Sequence, residues 1–458
     1  MEGYTKQLAH FCSTLDYRTL PKKVVEKTKW LILDSLGNIL GAATLEFGKT
    51  MADYAQALKD HEEATVLGFG FKSSARNAAF VNGSLAETIE MQDGYTKGGY
   101  HPCCGTISAP LAVAEWQKKG GKELITAVVA GYEVGDRVAE AVHPTHLSRG
   151  FQPTGTVGTV GAAAAVARLL GLDVEQTFNA LTIAGFILPI CTGDNLWGGY
   201  SIKPVHGGAA AKAGIESVLL AQKGLKAAPL EGDSKIQKGF CRIVTDEPPK
   251  FEKMTEGLGE KYTVEEIYFK PYATCRINQG PTEIALDLKK KYALNYRDIE
   301  DVLIKTYDYA TKRTGSMRTD TNSPFTLCQF SMSYAVAGAL MDGEVGLSQL
   351  TEEKIRNPEV HRFASKIRAV ADPELQKLYP VNRPAIMEIT TKDGKKFSGQ
   401  INYAKGDFRN PMTNEELIKK FVNLAAGVLG EKKAKNAVDL ILNLENLGSL
   451  DGLIDHLK

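Results

Sequence analysis

RGFQPTGTVGTVGAAAAVARLLGL, residues 149–172, is a polar, Gly-containing turn that runs straight into a helix of almost nothing but Ala and Gly. Side chains that small let neighbouring helices approach closely. The first turn of such a helix can be buried while it still presents unpaired backbone N–H groups. With Arg149, Gln152 and Thr154 at its head, this helix start is expected to form a pocket for an anionic ligand.

The style spreads outward from there. Residues 24–43 carry Trp30, Leu33, Leu36 and Leu40 at helical spacing, and 108–121 reads as a helix stopped by a Gly pair. Residues 123–142 and 206–225 repeat the small-residue texture, and Asp173 with Gln176 three positions on reads as a capping box. Many Ala and Gly in successive helices predict one tightly packed bundle. The Gly155, Gly158, Gly161 spacing has no strand before it and no acidic partner at the required distance after it. It is therefore read as helix packing rather than a dinucleotide loop.

Past residue 230 the texture changes. Residues 231–265 are Gly-rich, charged and weakly periodic, as a connection would be. Beyond them 301–310 alternates like a strand, and 385–404 reads as two strands turning at Asp393-Gly394. Helical patterns occupy 279–292 and 328–341, and Thr413 with Glu416 opens another helix near the end. The reading is a mainly α chain: a large all-helical domain from residues 1–265 and 408–458, plus a smaller α+β lid domain over 266–407.

Composition narrows the ligand. The 458 residues are 43% hydrophobic and 24% charged, with a net charge of +1. That balance argues against nucleic acid or an anionic membrane as partner and leaves small molecules and proteins. No apolar run is long enough for a spanning helix, and no leader is read at the start. The seven cysteines, at 12, 103, 104, 191, 241, 275 and 328, are scattered, with no zinc-type spacing. Cys103-Cys104 reads as packing thiols, and a reducing cytoplasm is the expected compartment.

Four segments concentrate polar residues that a core would not choose: 82–105 with Glu87, Asp93, Lys97 and His101, then 149–172, 201–214 with Lys203 and His206, and 268–280 with Lys270, Arg276 and Gln279. Pockets favour domain junctions and loops held by rigid elements. On spacing alone, Asp93 reads equally as a turn cap, the histidines as structural groups, and the lysines as solvated charges.

Taken in order, these segments resemble the MmgE/PrpD family, which includes dehydratases, decarboxylases and an epimerase. The resemblance rests on LDSLGNILGAA (33–43), NGSLAETIEMQDGY…HP (82–102), the 149–172 stretch, KPVHGGAAAKAGIESVLLAQKG (203–224), KPYATCR (270–276) and CQFSMSYAVAGAL (328–340). It implies a site between bundle and lid, a homodimer, and no metal or organic cofactor. It also implies catalytic roles for Asp93, His101, Lys203, Lys270 and Tyr334, and substrate contacts from Thr154 and His206. Within it His101 is expected to move the proton, Asp93 to orient it or act as a second acid/base, and Tyr334 to donate to a leaving oxygen. Lys203, Lys270 and Arg276 are expected to supply positive charge.

Two departures stand out. Gln152 and Gln279 occupy positions where the family has His, and an amide binds a carboxylate but exchanges no proton near neutrality. Cys103 stands where Gly is usual. The expected activity is a cofactor-independent lyase, a dehydratase acting on a small di- or tricarboxylate-like acid. Alternatives are an epimerase or isomerase, a decarboxylase, or a binding protein on the same scaffold.

Overall fold

In the computed structural model, which describes residues 3–233 and 238–458, the larger part of the chain is built around six long helices. These are α1 Lys22–Ala43, α2 Ala75–Thr88, α3 Gly121–Val142, α4 Pro153–Leu170, α5 Val174–Ile187 and α6 Val205–Gln222. The Ala-rich stretch is α4, and it packs against α3 and α6. Its glycines act by close approach. A Cβ on Gly161 would stand 2.7 Å from Thr106 Cγ2 and 3.0 Å from the Gly131 carbonyl of α3. A Cβ on Gly131 would meet the Gly161 carbonyl at 2.9 Å. The Gly155–Gly161 spacing thus serves helix packing. Gly171 ends α4 in the left-handed region (φ +69), and Asp173 caps α5 by accepting from the Gln176 N–H.

The second part holds α7 Gln279–Tyr292, β1 Ile299–Thr306, α8 Met332–Asp342, β2 Ile367–Ala371, β3 Ala385–Thr391 and β4 Lys396–Ile401. Strand order is β2-β1-β3-β4, parallel between β1 and β2 and antiparallel elsewhere. Alternation buries Val302 and Ile304 of β1 with Ala385, Met387 and Ile389 of β3. The chain then returns to helix with α9 Asn414–Leu429 and α10 Glu431–Leu442. The Thr413–Glu416 capping box forms, and α9 lies on α1, where Gly37 and Gly41 admit Phe421 and Leu424. One hydrophobic cluster joins Leu8 through Ala273 with Leu350 and Leu417 through Leu457, and a second spans Ile284 to Ile389. No helix among the described residues is long and apolar enough to cross a membrane.

Three local expectations are corrected. The helix from Ser108 ends at Trp116, and the Gly120-Gly121 pair starts α3 rather than stopping its predecessor. The 301–310 strand begins at Ile299 and stops at Thr306, because Asp308–Ala310 turns helical. The 328–341 helix is broken at Ser331, whose hydroxyl caps α8 by accepting from the Tyr334 N–H. The connection read over 231–265 includes 234–237, which lie outside the described residues.

Candidate active site

The C-terminal end of α2, the start of α6 and residue 270 converge on a buried chain of alternating charges. Lys203 Nζ donates to Glu87 Oε1 at 2.6 Å and also to Glu90, and Lys270 Nζ donates to Glu90 Oε2 at 2.8 Å. All four side chains are buried. Burial works against their ionisation, but opposite charges in contact outweigh it. Lys203, Lys270 and His101 together hold Glu90 down at about 2, and Lys203 and His206 hold Glu87 well below the usual carboxylate range. Against the same burial, Glu87 and Glu90 raise Lys203, and Glu90 raises Lys270. Glu87 also accepts from Cys104 Sγ at 2.8 Å and Gln92 Nε2 at 3.0 Å. Glu90 sits just past the end of α2 with φ +55, a conformation that ordinary side chains adopt at a cost.

His101 lies beside this chain on the Gly-rich loop after α2. Its Nδ1 is 2.6 Å from the Asp93 carbonyl oxygen, which fixes the proton on Nδ1 and leaves Nε2 with no protein partner among the described residues. Its backbone N–H donates to Thr154 Oγ1 at 3.1 Å, tying the loop to the first turn of α4. Burial, then the Lys270 charge, pulls the imidazolium down to about 4. The ring is therefore neutral near pH 7, with a lone pair on Nε2.

Asp93 orients His101 through its backbone, not its carboxylate. Its Oδ2 accepts from Tyr132 OH at 2.5 Å and its Oδ1 from the Cys103 N–H at 3.2 Å. Burial lifts this carboxyl to about 6 against those two bonds. The Asp93 carboxylate is thus engaged by Tyr132 and Cys103 rather than by the His101 ring.

A cavity of about 170 Å³ adjoins the charge chain, lined by Gln152, Cys191, Asn195, Leu196, Lys203 and His206 among others. Gln152 is only 7% exposed, yet its Nε2 has no partner. Its backbone N–H is taken by Cys191 O at 2.8 Å, which pins the head of α4 to the 191 loop. His206 Nε2 stands 3.0 Å from Glu87 Oε1 without the alignment of a hydrogen bond.

Other expected residues lie elsewhere. Tyr334 donates to the Gln349 carbonyl at 2.8 Å inside the second cluster, so its hydroxyl is not aimed at this cavity. Gln279 spends its amide on the Tyr272 and Thr274 carbonyls, at 2.9 and 2.8 Å, and shapes the turn before Arg276. Arg276 pairs with Asp407 at 2.6 Å. Arg149, exposed, pairs with Asp246 at 3.0 Å rather than flanking the α4 start, and Lys97 pairs with Glu266 at the surface. Cys103 and Cys104 are free thiols with sulfurs 3.8 Å apart. Sequence reasoning gave Glu87 no role and passed over Glu90 and Tyr132. Two glutamates three apart in an otherwise apolar stretch, one at the end of α2 and one just past it, were the available signal.

The MmgE/PrpD N-terminal domain matches residues 6–252 and the MmgE/PrpD C-terminal domain residues 272–446. Cis-aconitate decarboxylase from Aspergillus terreus is 26% identical over 475 residues, covering 100% of this chain and 96% of that protein. The Homo sapiens protein of the same name is 26% identical, covering 100% and 95%. 2-Methylcitrate dehydratase from Salmonella typhimurium is 22% identical over 446 residues, covering 90% and 88%.

Proposed function

The chain belongs to the MmgE/PrpD family, and from that premise we propose that it is a cofactor-independent lyase, a dehydratase of a small di- or tricarboxylate-like acid. The observation that carries this reading is His101, held neutral with its Nε2 lone pair free. Such a group takes a proton from the carbon next to a carboxylate, and the electron pair left behind enters the aci-carboxylate. As the C–O bond breaks, the pair forms C=C, and the imidazolium returns its proton to the departing hydroxyl as water. One residue serves both transfers, so Tyr334 is not needed as a second donor. Developing negative charge meets N–H donors that Lys203 still has free beyond its two carboxylate bonds, and the Gln152 amide.

A second reading, decarboxylation, is favoured by the names of the full-length relatives. There the C–C bond breaks, CO₂ leaves, and the carbon takes a proton from the His101 imidazolium. A panel of di- and tricarboxylic acids separates the two. Ultraviolet absorbance from a new conjugated alkene without gas release supports dehydration. Release of CO₂ supports decarboxylation, and solvent deuterium in recovered substrate alone points to an epimerase. Under either lyase reading His101→Ala lowers kcat roughly 100- to 10,000-fold while the fold is kept; near-normal turnover removes His101 from the chemistry.

Residues 266–407 are proposed as a lid over the helical part, and the chain as a homodimer. The separate hydrophobic cluster over Ile284–Ile389 supports the first. Phe186, Ile190 and Ile243, exposed around one apolar cavity of about 340 Å³, support the second.

A further inference from the structure

Where the α+β unit meets the His101 loop, positive charge is left over. Arg276 and Arg409 share one carboxylate, Asp407: Arg276 Nη2 reaches Oδ2 at 2.6 Å and Arg409 Nε reaches Oδ1 at 2.8 Å. Among the described residues Arg383 has no carboxylate partner within 4 Å, and the one hydrogen bond its guanidinium makes is a long one, 3.4 Å, to Thr96 Oγ1 on the His101 loop. It is close enough to push electrostatically against Arg276. The next acid within reach, Glu283, accepts from the Lys405 N–H at 2.5 Å and lies near the Lys405 charge.

The donors at this seam are as exposed energetically as the charge. Arg276 is 9% exposed, yet Nε and Nη1 have no partner. The Tyr307 hydroxyl, on a side chain 1% exposed, has none either; Thr306 beside it donates to the Pro384 carbonyl at 2.7 Å, which brings Tyr307 and Arg383 to adjoining strand ends, within electrostatic reach of each other. Buried polar groups are nearly always paired, because each one left unmade keeps its desolvation cost uncompensated. Unpaired guanidinium N–H groups, a phenol and surplus cationic charge share one complement, a small oxyanion. Tyr268, whose ring lies 4.3 Å under the Arg276 guanidinium, exchanges backbone hydrogen bonds with Gly94, the residue after the carbonyl that fixes His101.

We propose that Arg276, Arg383 and Tyr307 form an oxyanion site, and that its occupant presents a carboxylate-type or phosphate-type head. The source is a distal carboxylate of the substrate or a free oxyanion. In either case an occupant ties the α+β unit to the His101 loop.

The test reads binding by melting, so it stands or falls separately from the reaction. Citrate and inorganic phosphate are titrated against the wild-type chain, Arg383→Gln and Tyr307→Phe. The wild type is expected to gain roughly 1.5 °C in Tm at ten times the dissociation constant. Tyr307→Phe only removes a hydroxyl that lacks a partner, so without anion it should melt at or above the wild-type temperature. Both variants should lose most of the anion-induced rise. Phosphate that raises KM without changing kcat identifies the occupant as the substrate's own carboxylate; phosphate that leaves KM unchanged identifies a free oxyanion. No rise in the wild type, or an equal rise in both variants, overturns the proposal.

Discussion

His101 shows how a single backbone atom decides the chemistry of a side chain. The Asp93 carbonyl at 2.6 Å fixes the tautomer, and burial with Lys270 nearby takes the imidazolium to about 4. An ordinary histidine titrates near 6.5. A base that is neutral down to about pH 4 should give a kcat/KM profile that is flat from pH 8 to 6 and half-maximal near pH 4. A midpoint near 6.5 would mean that His101 is not the group being read, and activity that falls as pH rises would favour the decarboxylase. Glu90 carries the other residue-scale prediction. Glu90→Gln strands the Lys270 ammonium in a buried site, and losing one member of such a pair costs roughly 3–5 kcal/mol. Urea unfolding checks this; a loss below about 1 kcal/mol would show that water or another carboxylate reaches Lys270. His101, Lys203 and Lys270 were legible because segment order pointed to a family. The contact between His101 and the Asp93 carbonyl was not, since a backbone contact leaves no mark on residue type.

At the scale of elements, the reading of the Ala/Gly helix held because close packing needs small side chains in a recognisable order. Gly161 tests it. An exposed helical Gly→Ala usually gains about 1 kcal/mol. Here the new Cβ would press on Thr106 and on the Gly131 carbonyl, and overpacking of this kind costs roughly 1–3 kcal/mol. Gly161→Ala should therefore lower the stability measured by denaturant; a gain would mean that α3 and α4 part without cost. Caps were also legible: Thr413–Glu416 and Gly171 sit where their chemistry requires. The parallel strand β2 was missed. Five residues, IRAVA, three of them exposed, carry little alternation, and their pairing with β1 depends on a partner more than 60 residues away. The break at Ser331 was hidden for a similar reason, because a serine reads as cap or helix interior alike until its hydroxyl is seen to accept.

Over the whole molecule, the change of texture near residue 230 and the return to helix near 412 foreshadow two hydrophobic clusters. The seam between them was not legible. Tyr334 and Gln279 seemed aimed at a ligand by position in a motif, but their hydroxyl and amide are consumed by local carbonyls. The prediction at this scale concerns assembly. Phe186 and Ile190 are 81% and 72% exposed beside the apolar cavity, more than a lone chain in water favours. Phe186→Asp with Ile190→Asp should shift sedimentation to the monomer. A wild-type chain already monomeric at micromolar concentration would remove the proposed dimer.

The Glu87–Lys203–Glu90–Lys270 chain has a consequence for how a substrate arrives. Two cations matched by two anions in contact cancel one another beyond a few ångströms, and the chain as a whole carries only +1. An approaching polyanion therefore feels little long-range field from the lysines, and dissolved salt has little of it to screen. Under the proposed function, capture of a carboxylate rests on short-range contact with ammonium donors whose charge the protein has already neutralised. Such a site discriminates by fit at contact, and concentration rather than electrostatic guidance sets how often it fills.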